Sequence, residues 1–244
     1  INRVEMVKNV YDKRGNMISS TEAGGDQKSY QYDDMGRLIH IENAYHEQTE
    51  IFYTENGQIE KTIDNGVVTT YQYDDRGNVI QVTDAYGNVT KYAYDINDQI
   101  IHIENAIGEE AYLEYDFLGN VTKITDFDGH SIETQYNELN KESKVIDKEG
   151  NAITYEYDAM WNIARVYYPN ETSIQYQYNP DNHLESVMGS ACDTQKYQYD
   201  ANGNLISEEN GNGEKTRYVY DSLDRIKKVI DARGYTTGYA YDAY

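Results

Sequence analysis

The hydrophobic and polar positions of this chain repeat with a period of about 21 residues. The second tyrosine of a Tyr-x-Tyr-Asp pattern recurs twelve times, and ten of the eleven intervals are 21 residues long, whereas the interval from Tyr53 to Tyr73 is 20. These anchor tyrosines are Tyr11, Tyr32, Tyr53, Tyr73, Tyr94, Tyr115, Tyr136, Tyr157, Tyr178, Tyr199, Tyr220 and Tyr241. Because self-similarity at a fixed period is typical of repeat architectures, we expect residues 1–244 to form a single repeat array.

Each period contains two turn signals that separate two short extended runs. Four residues after the anchor lies Gly, Asn or Asp in ten of eleven copies, and Trp161 is the exception. In the stretch YDDRGN at 73–78, Asp74 is predicted to accept backbone N–H bonds across a type I turn. Gly77 is predicted to take the left-handed conformation that completes a G1 bulge. A second turn signal follows ten residues later, as in DAYG at 84–87.

The runs between the turns carry Tyr, Thr, Val and Ile, which suit a pleated surface, and no segment has sustained helical periodicity. The sequence therefore predicts an all-β fold of about twelve 21-residue β-hairpins in a curved, spiralling sheet. The residues assigned to this structural repeat include Tyr71, Tyr73, Asp74, Gly77, Asp84, Gly87, Tyr92, Tyr94, Asp95, Tyr197, Tyr199, Asp200 and Gly203.

The turn geometry also predicts a register and two faces. Tyr73 is expected to pair with Val79, and Tyr71 with Gln81. One face would then carry the anchor tyrosines beside the apolar residue six positions later, with the polar residue eight positions later lying over the rings. The other face would carry Ile80 and Val82. Since neither face would be purely polar, we expect both to pack against something.

Composition and charge exclude several classes of protein. The chain has 21 basic and 43 acidic residues, a net charge of −22, which argues against nucleic-acid binding and against an anionic membrane surface. Its single cysteine, Cys192, allows no intrachain disulfide, and no apolar run approaches the length of a membrane span. Because the sequence begins at Ile1 and stops just after a motif begins, we expect a piece of a longer protein.

The unit Tyr-x-Tyr-Asp-x-x-Gly-[Asn/Arg]-[Leu/Ile/Val] resembles the YD repeat of the RHS family. The stretches YQYDDMGRLIHI at 30–41 and YQYDANGNLISE at 197–208 are close to the family pattern. The resemblance implies a β-hairpin strip that spirals into a hollow shell, as in RHS, teneurin and insecticidal toxin-complex proteins. In bacterial members this shell encloses a C-terminal toxin. The aspartyl self-cleavage of the family is not implied here, because the chain contains no Asp-Pro dipeptide.

The resemblance therefore implies a wall segment of a secreted or cell-surface bacterial protein. Its expected partners are the remainder of its own shell and an enclosed polypeptide, with no cofactor, no nucleic acid and no membrane insertion. We expect no enzymatic activity. Tyr73, Asp74 and Arg76 look reactive, but the trio recurs in altered form in other repeats, whereas catalysis needs one special constellation.

A few other residues belong to types that bind metals or act as nucleophiles. DFDGH at 126–130 begins like a calcium loop but lacks the remaining ligands, so a turn is favoured. The five histidines have no zinc-site spacing, and Cys192 is interpreted as a loop thiol at a second turn.

A carbohydrate-binding or cell-surface-binding module is the alternative function. The repeat signals weaken between Asn137 and Cys192, and Trp161, Tyr167 and Tyr168 are candidates for contact with a partner or sugar because exposed aromatic rings form stacking platforms. Sugar-binding aromatic repeats are typically rich in Trp, whereas this chain has one, which favours the shell.

Overall fold

The computed structural model describes residues 7–22, 24–190 and 194–242, and these form β-strands joined by tight turns. Cys192 lies outside the described residues. The described part of the chain contains no helix that could span a membrane. The strands fall into two compact units, Ile1–His130 and Ser131–Tyr244.

The first unit is an antiparallel meander in which each strand pairs with the next along the chain. Its strands are β1 (Lys8–Tyr11), β2 (Met17–Thr21), β3 (Gln27–Tyr32), β4 (Leu38–Asn43), β5 (Gln48–Tyr53), β6 (Ile59–Asp64), β7 (Val67–Tyr73), β8 (Val79–Thr83), β9 (Val89–Tyr94), β10 (Ile100–Glu104), β11 (Glu110–Tyr115) and β12 (Val121–Thr125).

The second unit has the same antiparallel meander. Its strands are β13 (Ser131–Tyr136), β14 (Glu142–Ile146), β15 (Ala152–Tyr157), β16 (Ile163–Tyr167), β17 (Ser173–Tyr178), β18 (Leu184–Gly189), β19 (Gln195–Tyr199), β20 (Leu205–Glu209), β21 (Lys215–Tyr220), β22 (Ile226–Ile230) and β23 (Thr236–Gly238). The all-β, hairpin-repeat fold predicted from the sequence is confirmed.

The predicted register is half right. Tyr73 pairs with Val79 as expected, but Tyr71 pairs with Val82 and not with Gln81, because a bulge shifts the register between Gln72 and Tyr73. The same shift occurs beside the anchor tyrosine in the other first-turn hairpins, for example at Gln31/Tyr32 and Glu156/Tyr157. Only the bulge at the turn was predicted from the sequence. The extra residue in β8, Ile80, was not.

The bulge changes which residues share a face. Directly paired residues point to the same side and neighbours along a strand alternate. Val82 therefore lies on the same face as Tyr71 and Tyr73, whereas Gln72 and Gln81 lie on the other. The predictions that Val82 lies opposite the tyrosines, and that the polar residue eight after the anchor covers the anchor rings, are wrong. Both aliphatic rows belong to the tyrosine side.

We call the two sides the tyrosine face and the polar face. The tyrosine face comprises the anchor and the residues four and two positions before it and six and nine positions after it. The polar face comprises the residues three and one positions before the anchor and eight and ten positions after it. In β7 and β8 these are Thr69, Tyr71, Tyr73, Val79 and Val82 against Thr70, Gln72, Gln81 and Thr83.

A single sheet layer leaves little buried core. Among the described apolar residues only Ala111 and Val166 are classed as buried, and no large side chain is fully buried. Polar-face positions also hold apolar residues, among them Phe52, Ile63 and Tyr112, so neither face is purely polar, as expected. The charged residues are nevertheless concentrated on the polar face, whereas the tyrosine face is mainly aromatic and aliphatic.

Candidate functional site

The first turn of each repeat is built around an aspartate. In the turn after β7, Asp74 Oδ1 accepts hydrogen bonds from the backbone N–H of Arg76 at 3.0 Å and of Asn78 at 2.8 Å, and Asp74 Oδ2 accepts one from Asn78 Nδ2 at 3.1 Å. The backbone N–H of Gly77 donates to the Asp74 carbonyl at 3.1 Å. These bonds engage both carboxylate oxygens with the turn itself, so Asp74 caps the turn.

The caps lower the pKa values of the turn aspartates. The backbone hydrogen bond from Asn78 holds the pKa of Asp74 below its usual value. The Asn88 side chain, which donates to Asp84 Oδ2 at 2.8 Å, lowers the pKa of Asp84 in the same way. Both groups are therefore anions at neutral pH and are poorly suited to act as general acids.

The left-handed position of the first turn is occupied in every described repeat. Gly77 has φ 96° and Gly203 has φ 86°. Asp98, Asn140, Asn182 and Asp224 take the same conformation, with φ between 56° and 66°. Trp161, the one residue that departs from the pattern, also has positive φ, at 67°. The predicted left-handed conformation of the G1 bulge is confirmed, and Trp161 adopts it as well.

The anchor tyrosines do more than pack. The hydroxyl of Tyr73 donates to the Ile59 carbonyl at 2.7 Å, and that of Tyr94 donates to the Val79 carbonyl at 2.7 Å. Each acceptor belongs to the preceding repeat. In the described part of the chain the anchors that make this bond include Tyr32, Tyr53, Tyr73, Tyr94, Tyr115, Tyr157, Tyr178, Tyr220 and Tyr241. The sequence analysis missed this ladder, although an invariant Tyr without a single Phe at twelve positions is a signal that the hydroxyl is used.

A second ladder links the first turns. The residue five after the anchor reaches the turn of the next repeat: Asn78 Nδ2 donates to Asp98 Oδ1 at 2.6 Å, and Gln58 Nε2 donates to the Gly77 carbonyl at 3.3 Å. At the same position the Arg37 guanidinium lies 4.5 Å above the ring of Tyr53. Arg76, one of the candidate reactive residues, donates to the carbonyls of Asp95 and Ile96. Tyr73, Asp74 and Arg76 are all engaged in bonds within or between repeats.

The second turns carry complementary pairs of side chains. Two of the turns that begin with Asp end with Asn, as in Asp84 and Asn88. The turns that begin with Asp126 and Asp231 end with His130 and Tyr235. Where the turn begins with Asn it ends with Glu: Asn105 Nδ2 donates to Glu109 Oε2 at 2.7 Å. The 20-residue interval arises here, because Asn65 (φ 48°) and Gly66 (φ 86°) form a two-residue hairpin turn that is one residue shorter.

The candidate cation ligands form one cluster in the described part of the chain. The ligand atoms of Asp126, Asp128 and His130 all lie within 4.8 Å of one another, and all three residues are exposed. Asp126 Oδ1 accepts the backbone N–H bonds of Asp128 and His130, and Gly129 has φ 80°, so the predicted turn is present. The sequence analysis compared this stretch only with a calcium loop and missed the imidazole.

The candidate partner-contact residues are not brought together. Trp161 lies in the first turn before β16, Tyr167 is the last residue of β16, and Tyr168 opens the second turn. Trp161 and Tyr168 are therefore separated by the length of β16, about 20 Å of extended chain. Tyr167 is engaged locally: its hydroxyl donates to Glu156 Oε1 at 3.1 Å and accepts a bond from Arg165. The three rings do not form one stacking platform.

The RHS Repeat family model matches residues 11–47, 53–89, 73–104 and 199–234, slightly more than half of the chain. No curated protein matches at a significant level. The structure of the Photorhabdus luminescens Tc holotoxin pore with the mutation TccC3-D651A superposes with a TM-score of 0.75 at 15% identity. The match covers 95% of this chain and 15% of that one. TcdB2-TccC3 gives a TM-score of 0.75 at 14% identity, covering 95% of this chain and 16% of that one. At these identities the similarity shows a shared fold.

Proposed function

Because this chain belongs to the RHS repeat family, we propose that it is a wall segment of a shell that encloses a polypeptide. The observation that carries the proposal is the tyrosine ladder. In most repeats the ladder uses the same side chain to bind a backbone carbonyl of the repeat before, with donor-to-acceptor distances between 2.7 and 3.2 Å. Such a device joins hairpins into a continuous wall and leaves no hydroxyl of the ladder available for chemistry.

The whole protein is proposed to be longer than this chain. The chain spans about one-sixth of the TcdB2-TccC3 chain whose fold it shares. We therefore place the remaining shell and the enclosed polypeptide in parts of the protein outside residues 1–244. We also propose that the protein is a secreted or cell-surface bacterial protein, and that the role of this segment is structural and not enzymatic.

Limited proteolysis of the whole protein tests the enclosure. We expect an enclosed segment to resist protease in the native protein and to become sensitive when the wall is opened by Gly77→Val, which forces a β-branched residue into the left-handed region. Asp75→Ala, at an exposed position of the same turn, is the matched control and should leave protection unchanged. A whole protein in which no segment is protected would contradict the proposal.

A further inference from the structure

Three asparagines of this chain stand in the sequence Asn-x-Ser/Thr, with a threonine two positions later. They are Asn88, Asn120 and Asn170. This sequence is the acceptor motif for N-linked glycosylation, which attaches a sugar to the side-chain amide of an asparagine on a surface loop. Because so short a motif also arises by chance, the surroundings of each asparagine decide whether its amide nitrogen is available.

Two of the three amide nitrogens already serve a turn. Asn88 ends the second turn after β8, and its Nδ2 donates to Asp84 Oδ2 at 2.8 Å. Asn120 ends the first turn after β11, and its Nδ2 donates to Asp116 Oδ2 at 2.8 Å. A sugar on either nitrogen would lie against the carboxylate that caps the turn. These two positions are therefore poor acceptors.

The second turn that contains Asn170 has no aspartate cap. Tyr168 stands where Asp84 stands in the turn after β8, and its backbone N–H donates to the Thr172 carbonyl at 2.9 Å. Asn170 Oδ1 accepts the hydroxyl of Thr172 at 2.6 Å and the backbone N–H of Thr172 at 3.3 Å. The Asn170 oxygen thus takes over part of the capping, whereas within the described chain its Nδ2 makes no hydrogen bond.

The Asn170 side chain is also open to solvent. Pro169, Asn170 and Glu171 are all exposed at the tip of the turn between β16 and β17. Hydrogen bonds polarise the groups that make them, so the two bonds donated to Oδ1 draw electron density from the amide. Its N–H groups become more acidic as a result. Asn170 therefore presents a free and polarised amide nitrogen on the surface.

We propose that Asn170 is the acceptor of an N-linked sugar, and that the donor is a sugar whose anomeric carbon carries a phosphate group. The bond that forms joins Asn170 Nδ2 to the anomeric carbon. The bond that breaks joins the same carbon to the phosphate oxygen, which leaves with the electron pair. A base on the transferase takes the proton that the amide nitrogen loses. The inference does not depend on the proposed enclosure.

Peptide mass spectrometry of the whole protein, isolated from the cells that produce it, tests the assignment. Cleavage after Lys and Arg places the three asparagines in separate peptides, which are 77–91, 92–123 and 166–196. We expect peptide 166–196 to carry the mass of at least one hexose or N-acetylhexosamine, located on Asn170 by fragmentation. The other two peptides should be unmodified. An unmodified peptide 166–196, or equal modification of all three peptides, would overturn the proposal.

Substitutions in the whole protein test the role of the hydroxyl. Thr172→Val keeps the shape of the side chain, removes the hydroxyl and should abolish the modification. Thr172→Ser is the matched control and should retain it. Asn170→Gln, which keeps an amide at the exposed tip, should also lack the sugar and serves as a second variant if Thr172→Val does not fold. A sugar retained at the parent level by folded Thr172→Val would contradict the inference.

Two incubations of unmodified whole protein distinguish the sources of the sugar. One contains UDP-glucose and the soluble fraction of the producing cells, and the other contains their membrane fraction, which holds lipid-linked sugars. Modification of peptide 166–196 in the first supports a nucleotide-linked donor, and modification in the second supports a lipid-linked donor. Modification in neither would contradict the proposal.

Discussion

The turn at 74–78 and the turn at 158–162 have the same hydrogen bonds, although the left-handed residue is Gly77 in one and Trp161 in the other. Gly77 N–H donates to the Asp74 carbonyl at 3.1 Å, and Trp161 N–H donates to the Asp158 carbonyl at 3.1 Å. In each turn an asparagine side chain also donates a hydrogen bond to the next repeat. Asn78 reaches Asp98 at 2.6 Å, and Asn162 reaches Asn182 at 2.5 Å.

The comparison shows that the aspartate and the link between repeats define the turn. Glycine only lowers the energetic cost of the left-handed conformation. Asp158 caps its turn as Asp74 does, with bonds from the backbone N–H of Met160 at 2.8 Å and of Asn162 at 2.9 Å. A bulky residue at positive φ is strained, and the strain is tolerated because the surrounding bonds over-determine the backbone. In the described residues 137–190, where the repeat signals are weak, the geometry of the turns is therefore still regular.

The largest effect is expected from acid, which acts on both turns and on their counterparts together. Hydrogen bonds lower the pKa of Asp74 and Asp158 below the unfolded value, so the unfolded chain binds more protons. The stabilisation is complete above the unfolded pKa near 4 and is lost as the pH falls through the lower folded values. Circular dichroism between about pH 7 and pH 2 should show unfolding, and a chain equally stable at both limits would contradict the capping role.

Gly77→Val should be the most harmful single change in the pair of turns. A β-branched residue at positive φ costs about 2 kcal/mol or more, whereas Asp75→Ala, at an exposed position beside it, should cost almost nothing. Urea unfolding of the two variants measures the difference. Equal midpoints would show that the left-handed conformation is not required at position 77.

Trp161→Gly should act in the opposite direction. Removing a bulky side chain from φ 67° relieves about 1 kcal/mol of backbone strain, so the variant should be more stable than the parent chain. The same urea titration, followed by circular dichroism because the variant has no tryptophan, measures the gain. A less stable variant would mean that the ring of Trp161 makes contacts that outweigh the strain.

Tyr73→Phe tests the ladder while it keeps the ring. Loss of the bond to the Ile59 carbonyl should destabilise the chain by about 1 kcal/mol. Tyr86→Phe is the control, because Tyr86 is 91% exposed at the tip of a second turn. If both variants melt at the parent temperature, the hydroxyl ladder contributes nothing to stability.

The smallest effect is expected in the second turns. Asn105→Asp places a second carboxylate opposite Glu109 and should lower the melting temperature by about 1–3 °C. Adding Glu109→Asn restores the combination found at Asp84 and Asn88 and should recover the loss. A double variant no more stable than the single one would show that the pairs are not interchangeable.

Much of the fold could be predicted because the same sequence pattern occurs in each repeat. The anchor period, the Asp caps and the left-handed positions were readable from residue types alone, and the family resemblance they indicated is confirmed. The strand bulge was not readable, since no residue type marks the register shift between Gln72 and Tyr73. The extra residue in β8, Ile80, moves Val82 to the tyrosine face.

The candidate site was less accessible to sequence reasoning. The hydroxyl of Tyr73 reaches a carbonyl 14 residues earlier, and such a bond depends on how neighbouring hairpins are aligned. Trp161, Tyr167 and Tyr168 are close in sequence, but an intervening strand separates the first from the other two. Proximity along an extended chain is a poor guide to proximity in space.

The direction of the tyrosine ladder has a consequence for biosynthesis. Every hydroxyl in it donates towards the amino terminus, to a carbonyl that the ribosome has already released, as Tyr94 does to Val79. A newly emerged hairpin can therefore dock on a neighbour that is already complete, and growth of the sheet can keep pace with translation.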